Sequence, residues 1–548
     1  LPADFSVVIS EFTSQLSYMT EQNMVNRRGS LFWLLLCLLI LWGGVWLHTS
    51  RGYTHFDLSG HAWGSDDAYI SYRYARNLAE GHGLVFNPGE PVEGYSNFLY
   101  VLLLTPLFWL LPDQWIFGAS VVLNAGFAAT ALSVWRWHLG RRFDATAVAL
   151  GTLLFVLTLS LWVWVSSGLE TPLVLLLQLL TVALLDRTLD DDAAMPLLCV
   201  SLVLLILARA DGFITPLVVV AFLGLQGRWR SVLATGLTVA LTIGSYFTWR
   251  YAYYGYWLPN TFYVKVSGPL PQRLNQAWVQ LQEIGWQQGL GFWLMVMVVA
   301  AAVVAWRIVR QPAQWRRFSR FELVLAAAWL AYWFFVGGDV FGERFLLVLF
   351  PLGVFLLFWV GNGRYRYWLI GLGLLALVWQ LNPVRSDGRF AYTSPKYDRW
   401  VTLGQFLQAE HPGQSLAVDA AGKMPYFTNT QTLDMLGLTD EFLAHGQTDF
   451  FEMPGHNKFN VDYILSRQPD IIAAWFAPCP GGLCDFKDMT WDLTRERYEA
   501  AGYELHYVVN VGQFSLAQDI VNVLGWEAAA VGQLRSQGYA YAVLSRRP

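Results

Sequence analysis

The chain has 548 residues, 55% of them hydrophobic and 14% charged, with 27 Trp and a formal net charge of −4. That balance excludes an ordinary soluble domain and points to a multi-pass membrane protein. No basic block runs along the sequence, which argues against a nucleic-acid partner.

Residues 1–30 are polar and close on "NRRGS", just before the first apolar run at 31–48. This predicts a cytoplasmic N-terminal segment and an uncleaved first span. Further apolar runs lie at about 98–111, 115–137, 145–165, 170–185, 194–208, 213–226, 231–250, 290–309, 321–337, 345–361 and 365–381. A full crossing takes about 20 residues, fewer when the flanks snorkel. Basic flanks at Arg27 and Arg28, 136–142, Arg187, 227–230, 315–320 and 363–366 belong inside. Residues 50 to 136 must then cross once, yet they hold two apolar runs. The shorter, 98–111, reads as a segment that dips or lies along the outer face. The expected class is mainly α, a polytopic membrane domain over 31–381 with 11 spans, or 12 if 98–111 crosses.

The outer loop 49–97 carries "GSDDAYISYRYARNLAEGHG" at 64–83. Ser65 suits an N-cap and Gly81 or Gly83 a stop, so a helix is predicted over 66–80. Asp66 and Asp67 then occupy its first turn, where the helix dipole favours their ionised form. Successive helical positions point about 100° apart, so the two acids should have different jobs. Either could take a proton, and together they could hold a divalent cation, although no cofactor is required. The plain alternative is a capping pair on a surface helix.

Other acids gather on the same predicted rim: Glu170 in "SSGLETP", Asp211 beside Arg209 in "ARADGF", and Asp339 in "VGGDVFGERF". Ionisable groups at membrane depth are costly and mark function, whereas the Tyr and Trp around them read as interfacial anchors. Lys265, at the end of "LPNTFYVK", and Arg344 suit the phosphate of a lipid, as does Arg73 on the first outer helix. Residues 272–286 read as an interfacial helix.

Residues 382–548 hold no spanning run and alternate β-like with helical stretches, which predicts an α/β extracytoplasmic domain. Cys479 and Cys484 there form either a short disulfide loop or two free thiols, and zinc-type spacing is missing. Neither a fixed-period repeat nor an inverted duplication is visible. A transporter or flippase of polyprenyl lipids would favour such symmetry and mid-membrane charges; charges at one rim favour an enzyme.

The segments "DDAYISYRYARNLAEGHGLVFNPGEPVEGYSN", "SGLETP", "RADG", "YYGYWLPNTFYVK", "GGDVFGERF", "DMLGLTD" and "PGHNK" occur in that order between residues 64 and 475. Together they resemble the mycobacterial terminal arabinofuranosyltransferases, membrane glycosyltransferases of the GT-C fold. The resemblance implies a polyprenyl-phosphate sugar donor, decaprenylphosphoryl-arabinofuranose in those enzymes. It implies a surface glycan as acceptor, with a pilin-like protein or a lipid-linked acceptor as the alternative. It places the enzyme in a bacterial cytoplasmic membrane, with the active site on the periplasmic face. An acid of the first outer loop is essential in GT-C enzymes, and Asp66 matches its position best. The matching motifs assign sugar or acceptor contacts to Glu170, Arg209, Asp211, Tyr254, Asn260, Asp339, His456 and Lys458.

Overall fold

The structure, a computed structural model, describes residues 27–51, 55–56, 62–63, 65–287, 289–315, 319–339, 341–360, 371, 398–448, 454–475, 477–479, 482–485, 493–510, 520–526, 530, 533 and 539–547. Every apolar run up to residue 360 forms helix, while the run 365–381, residue 371 apart, lies outside the described residues. Among the described residues, four helices are long and apolar enough to cross a bilayer alone: Asp113–Gly140, Thr171–Asp190, Trp229–Tyr254 and Leu290–Arg310. Ala145–Val156 and Leu159–Ser166 make a fifth candidate, bent by 52°. Several shorter apolar helices, among them Phe98–Leu110, Ile214–Leu225, Phe321–Val336 and Leu349–Val360, complete the bundle. The number of crossings is therefore not fixed by helix length and composition. Phe98–Leu110 holds Pro106 and ends at extended Leu111, in keeping with its expected shortness. On the flank read as inner, Arg141 binds Asp190 at 2.6 Å and Arg142 pairs with Asp186, tying Asp113–Gly140 to Thr171–Asp190.

Past residue 398 the chain changes to a six-stranded sheet. Its order is Thr432–Asp434, Leu416–Val418, Ile471–Trp475, Tyr539–Arg546, Tyr503–Asn510, Ile520–Asn522. The first three strands run parallel, with Leu416 opposite both Thr432 and Ile471; the rest pair antiparallel. Leu416–Val418 is buried throughout because both faces of the sheet are covered. Ala417 packs with Met435 and Ile464 on one side, and Val418 with Leu403 and Met424 on the other. The short strands Ala477–Cys479 and Gly482–Asp485 pair as a hairpin. The side chains of Cys479 and Cys484, and with them the choice between a disulfide and two free thiols, lie outside the described residues.

Candidate active site

The acidic pair opens a helix, Asp66–Ala79, as its pattern predicts, and Gly81 and Gly83 follow at φ of 85° and 90°. Ser65 stands at the N-cap without a side-chain capping bond; its N–H donates instead to Ser167 O at 2.9 Å. Every residue from Ala68 to Asn77 is buried. A surface helix capped by two acids would not look like this, so the plain capping alternative fails.

The two carboxylates point to different surroundings. Asp66 accepts the backbone N–H of Gly422 at 3.0 Å and of Lys423 at 2.8 Å, gripping the start of the helix Lys423–Thr428. A side chain at Gly422 would overlap the backbone of Asp66, so the approach requires glycine. Lys423 Nζ in turn binds Asp398 at 2.6 Å. Burial pushes the pKa of Asp66 up to about 6, against the pull of Lys423. Asp66 is therefore less readily ionised than a first-turn position alone implies.

Asp67 lies within electrostatic reach of several cations. Burial raises its pKa, while Lys265, Arg344 and His456 draw it back down. Lys265 is lowered by burial and by Arg344, and is supported by Asp339 and Asp67. Arg344 Nε binds Asp339 Oδ2 at 2.9 Å and Nη2 reaches Oδ1 at 3.4 Å. Asp339 is aimed by its own backbone, whose N–H donates to Gln280 Oε1 at 3.0 Å. Gly337 and Gly338 precede it at φ of 99° and 92°, and a Cβ on Gly338 would overlap Gln280. That is why the motif reads "GGD".

Behind this cluster lies a buried ionic triad. Arg209 binds Glu170 at 2.6 Å and Asp211 at 2.8 and 3.0 Å. Burial alone would raise both acids, but Arg209 brings each below the usual carboxylate range. Asn97 donates to Glu170 at 2.9 Å and so links the triad to Ser71 of the acidic helix. Phe345 lies beneath the guanidinium groups of both Arg209 and Arg344. A cavity of about 20 Å³, room for roughly one water, opens beside the two arginines and is also lined by Thr171, Gln178 and Trp329.

Several expected site residues serve the frame instead. Arg73 uses all its N–H groups on Phe86 O, Asn87, Pro425 O, Thr430 O and Thr432, leaving no donor for a phosphate. Tyr254 donates to Leu84 O at 2.8 Å, and Asn260 to Asp440 O at 3.2 Å. Lys458 donates to Ala444 O. The bonds of Tyr254 and Asn260 tie together parts of the chain far apart in sequence. Among the described residues no group of three His, Cys, Asp or Glu side chains could hold a metal, and both oxygens of Asp66 already accept backbone N–H groups. Sequence reasoning missed Lys423, Gln280, Asn97 and Glu343, the last bound by Trp164 Nε1 at 3.2 Å. Of these, "SLAVDAAGK", a strand running into a glycine and a lysine, was the readable signal for Lys423.

The raised pKa of Asp66 carries a pH signature. Below about pH 4 the carboxyl is protonated in both folded and unfolded chains. As the pH rises to about 6, the unfolded group ionises while the folded one resists, so this group's contribution lowers stability over that window. Asp66→Asn should flatten that part of the pH–stability profile, measured by thermal unfolding in detergent. An unchanged slope would assign it to other groups.

Residues 390–531 match a family model described as a domain of unknown function (DUF8728). No curated protein matches the chain in sequence. Among solved structures, the oligosaccharyltransferase of Archaeoglobus fulgidus in complex with zinc and sulfate has a TM-score of 0.50 at 12% identity, over 73% of this chain. The match spans 62% of that chain, less than two thirds of its length. The same enzyme tethered by a disulfide bond to an acceptor peptide containing the NVT sequon reaches 0.57 at 11%, covering 95% of this chain and 89% of that one. ArnT from Cupriavidus metallidurans, bound to undecaprenyl phosphate, reaches 0.52 at 12%, covering 94% and 97%. Identities this low carry the architecture and nothing finer: the chain has the GT-C fold that its motifs imply.

Proposed function

We propose that the chain is a membrane glycosyltransferase that moves a sugar from a polyprenyl-phosphate donor to a hydroxyl acceptor at the outer face of a bacterial cytoplasmic membrane. The sugar is D-arabinofuranose and the acceptor a surface glycan; both follow from the motif resemblance. In this reading the chain crosses the membrane 11 times, and residues 382–548 form a domain on the outer side. The observation that carries the proposal is the Arg344–Asp339 pair, which stands within electrostatic reach of both Asp67 and Lys265.

The chemistry requires three parts. The acceptor oxygen bonds to C1 of the sugar and gives up its proton. The bond from C1 to the phosphate oxygen breaks, and its electron pair leaves with the lipid phosphate. Asp67 takes the proton, while Lys265 and Arg344 stabilise the charge that develops on the phosphate. In a low-dielectric site such positioned cations act far more strongly than in water. Arg344→Ala and Lys265→Ala should each cost on the order of 2–4 kcal/mol of transition-state stabilisation. The measurement is kcat and donor KM with a short-chain polyprenyl-phosphate arabinofuranose in detergent. Wild-type kinetics in both variants would leave these residues as interfacial anchors. A protein acceptor is the second reading, favoured by the acceptor peptide bound to the A. fulgidus enzyme of like fold.

A further inference from the structure

We propose that Trp400, Trp475, Tyr541 and Asp419 form a saccharide subsite that holds the acceptor glycan beside the acidic pair. The inference rests on the glycosyl-transfer reading above and names the side from which the acceptor arrives.

The sheet brings these residues together. Asp419 directly follows the strand Leu416–Val418, and Trp475 ends its parallel neighbour Ile471–Trp475. Both therefore emerge at one carboxyl edge, where open α/β sheets receive ligands. Tyr541 stands opposite Trp475 in the antiparallel pairing, and Trp400 comes from the first turn of Arg399–Glu410. The three rings meet edge to face. Centroid separations are 5.9 Å for Trp400 and Trp475, 4.7 Å for Trp400 and Tyr541, and 5.5 Å for Trp475 and Tyr541. Tyr541 is fully buried and fixes the corner, while both tryptophans are part-exposed.

Asp419 closes the corner. Its Oδ1 accepts the Tyr541 hydroxyl at 2.8 Å, and its Oδ2 accepts the Trp475 N–H at 3.4 Å. A carboxylate offers about four acceptor sites, so it keeps capacity for sugar hydroxyls. A sugar ring presents an apolar C–H face that can lie on an indole and a rim of hydroxyls that donate to a carboxylate. Asp419 offers a phosphate no positive charge. An extended peptide would seek an exposed strand edge, but Ile471–Trp475 is paired on both sides.

The corner also leads to the acids. Gly422, three residues after Asp419, grips Asp66, and the charge of Asp66 adds to burial in pushing Asp419 up to about 7. Asp398 accepts the Trp400 N–H at 2.9 Å and binds Lys423, the residue after Gly422. A polar path thus joins the aromatic corner to the acidic pair.

The test uses the full chain in detergent, with fluorescently labelled linear hexasaccharides of arabinofuranose and of mannose and a labelled serine-rich peptide. Wild type should bind a hexasaccharide, and both Asp419→Asn and Trp475→Ala should weaken that binding tenfold or more. Binding of a short-chain polyprenyl phosphate should stay unchanged in both. Asp419→Asn keeps the shape of the side chain and carries the test alone if Trp475→Ala does not fold. Unchanged saccharide binding in Asp419→Asn, or displacement of the sugar by the peptide, would overturn the subsite. Donor turnover without saccharide binding in wild type would overturn the subsite while leaving the transfer reading intact. Saccharide binding lost in the variants, with no donor turnover in wild type, would support the subsite and sink the transfer reading.

Discussion

Asp67→Asn should lower sugar transfer by roughly 10²- to 10⁴-fold, the range that a positioned proton acceptor contributes. Asn keeps the size of the side chain and removes its ability to take a proton. Expression, thermal stability and donor binding should remain near wild type, since Asp67 meets the site through charge with Lys265, Arg344 and His456. Asp66→Asn should be milder and act on docking, because the carboxylate of Asp66 already accepts Gly422 and Lys423 N–H groups. This reverses the order that the motif resemblance implies, where Asp66 is the essential acid. Single-turnover transfer from a saturating donor separates the two. A dead Asp66→Asn beside an active Asp67→Asn would restore the original assignment.

Arg209→Met should destabilise the chain by about 3–5 kcal/mol, the usual consequence of removing one partner from a buried charge group. The side chains of Arg209, Glu170 and Asp211 are only 8%, 3% and 5% exposed, so solvent cannot replace the lost guanidinium. Two carboxylates would then share an apolar wall with Phe345 and no cation bound to them. Thermal unfolding in detergent measures the loss. Adding Glu170→Gln to Arg209→Met should recover part of it, since one stranded charge is removed. A stability loss below about 1 kcal/mol, a value usual for exposed ion pairs, would show that the triad is solvated after all.

The helical bundle was legible because apolar runs are long and local: each run up to residue 360 became helix within a few residues of its expected ends. The acidic helix was legible from Ser65, Asp66, Asp67 and the two glycines after it. Crossing number was not, because bent and short helices such as Ala145–Val156 with Leu159–Ser166 cannot be assigned by composition. The rim acids were found as a set, because charge beside apolar sequence is conspicuous. Their individual duties were hidden, since those depend on partners far away in sequence. Arg73 reads as a spare cation until Pro425, Thr430 and Thr432 are seen to surround it. Tyr254 and Asn260 looked like sugar contacts for the same reason, yet Tyr254 bonds Leu84 O and the Tyr95 hydroxyl, and Asn260 bonds Asp440 O.

The grip of Arg73 and Arg76 on Pro425, Tyr426, Asn429 and Thr430 has a consequence for the order of biosynthesis. These partners emerge from the ribosome some 350 residues after the helix that needs them. Until then, two arginines destined for burial have only their local acceptors, Phe86 and Asn87 for Arg73 and Asp113 for Arg76, and buried donors without acceptors are costly. The acidic helix therefore gains its full set of acceptors only after the helices that follow it have been made. The nascent membrane bundle carries its acids from the start, yet they acquire their final setting as the last third of the chain arrives.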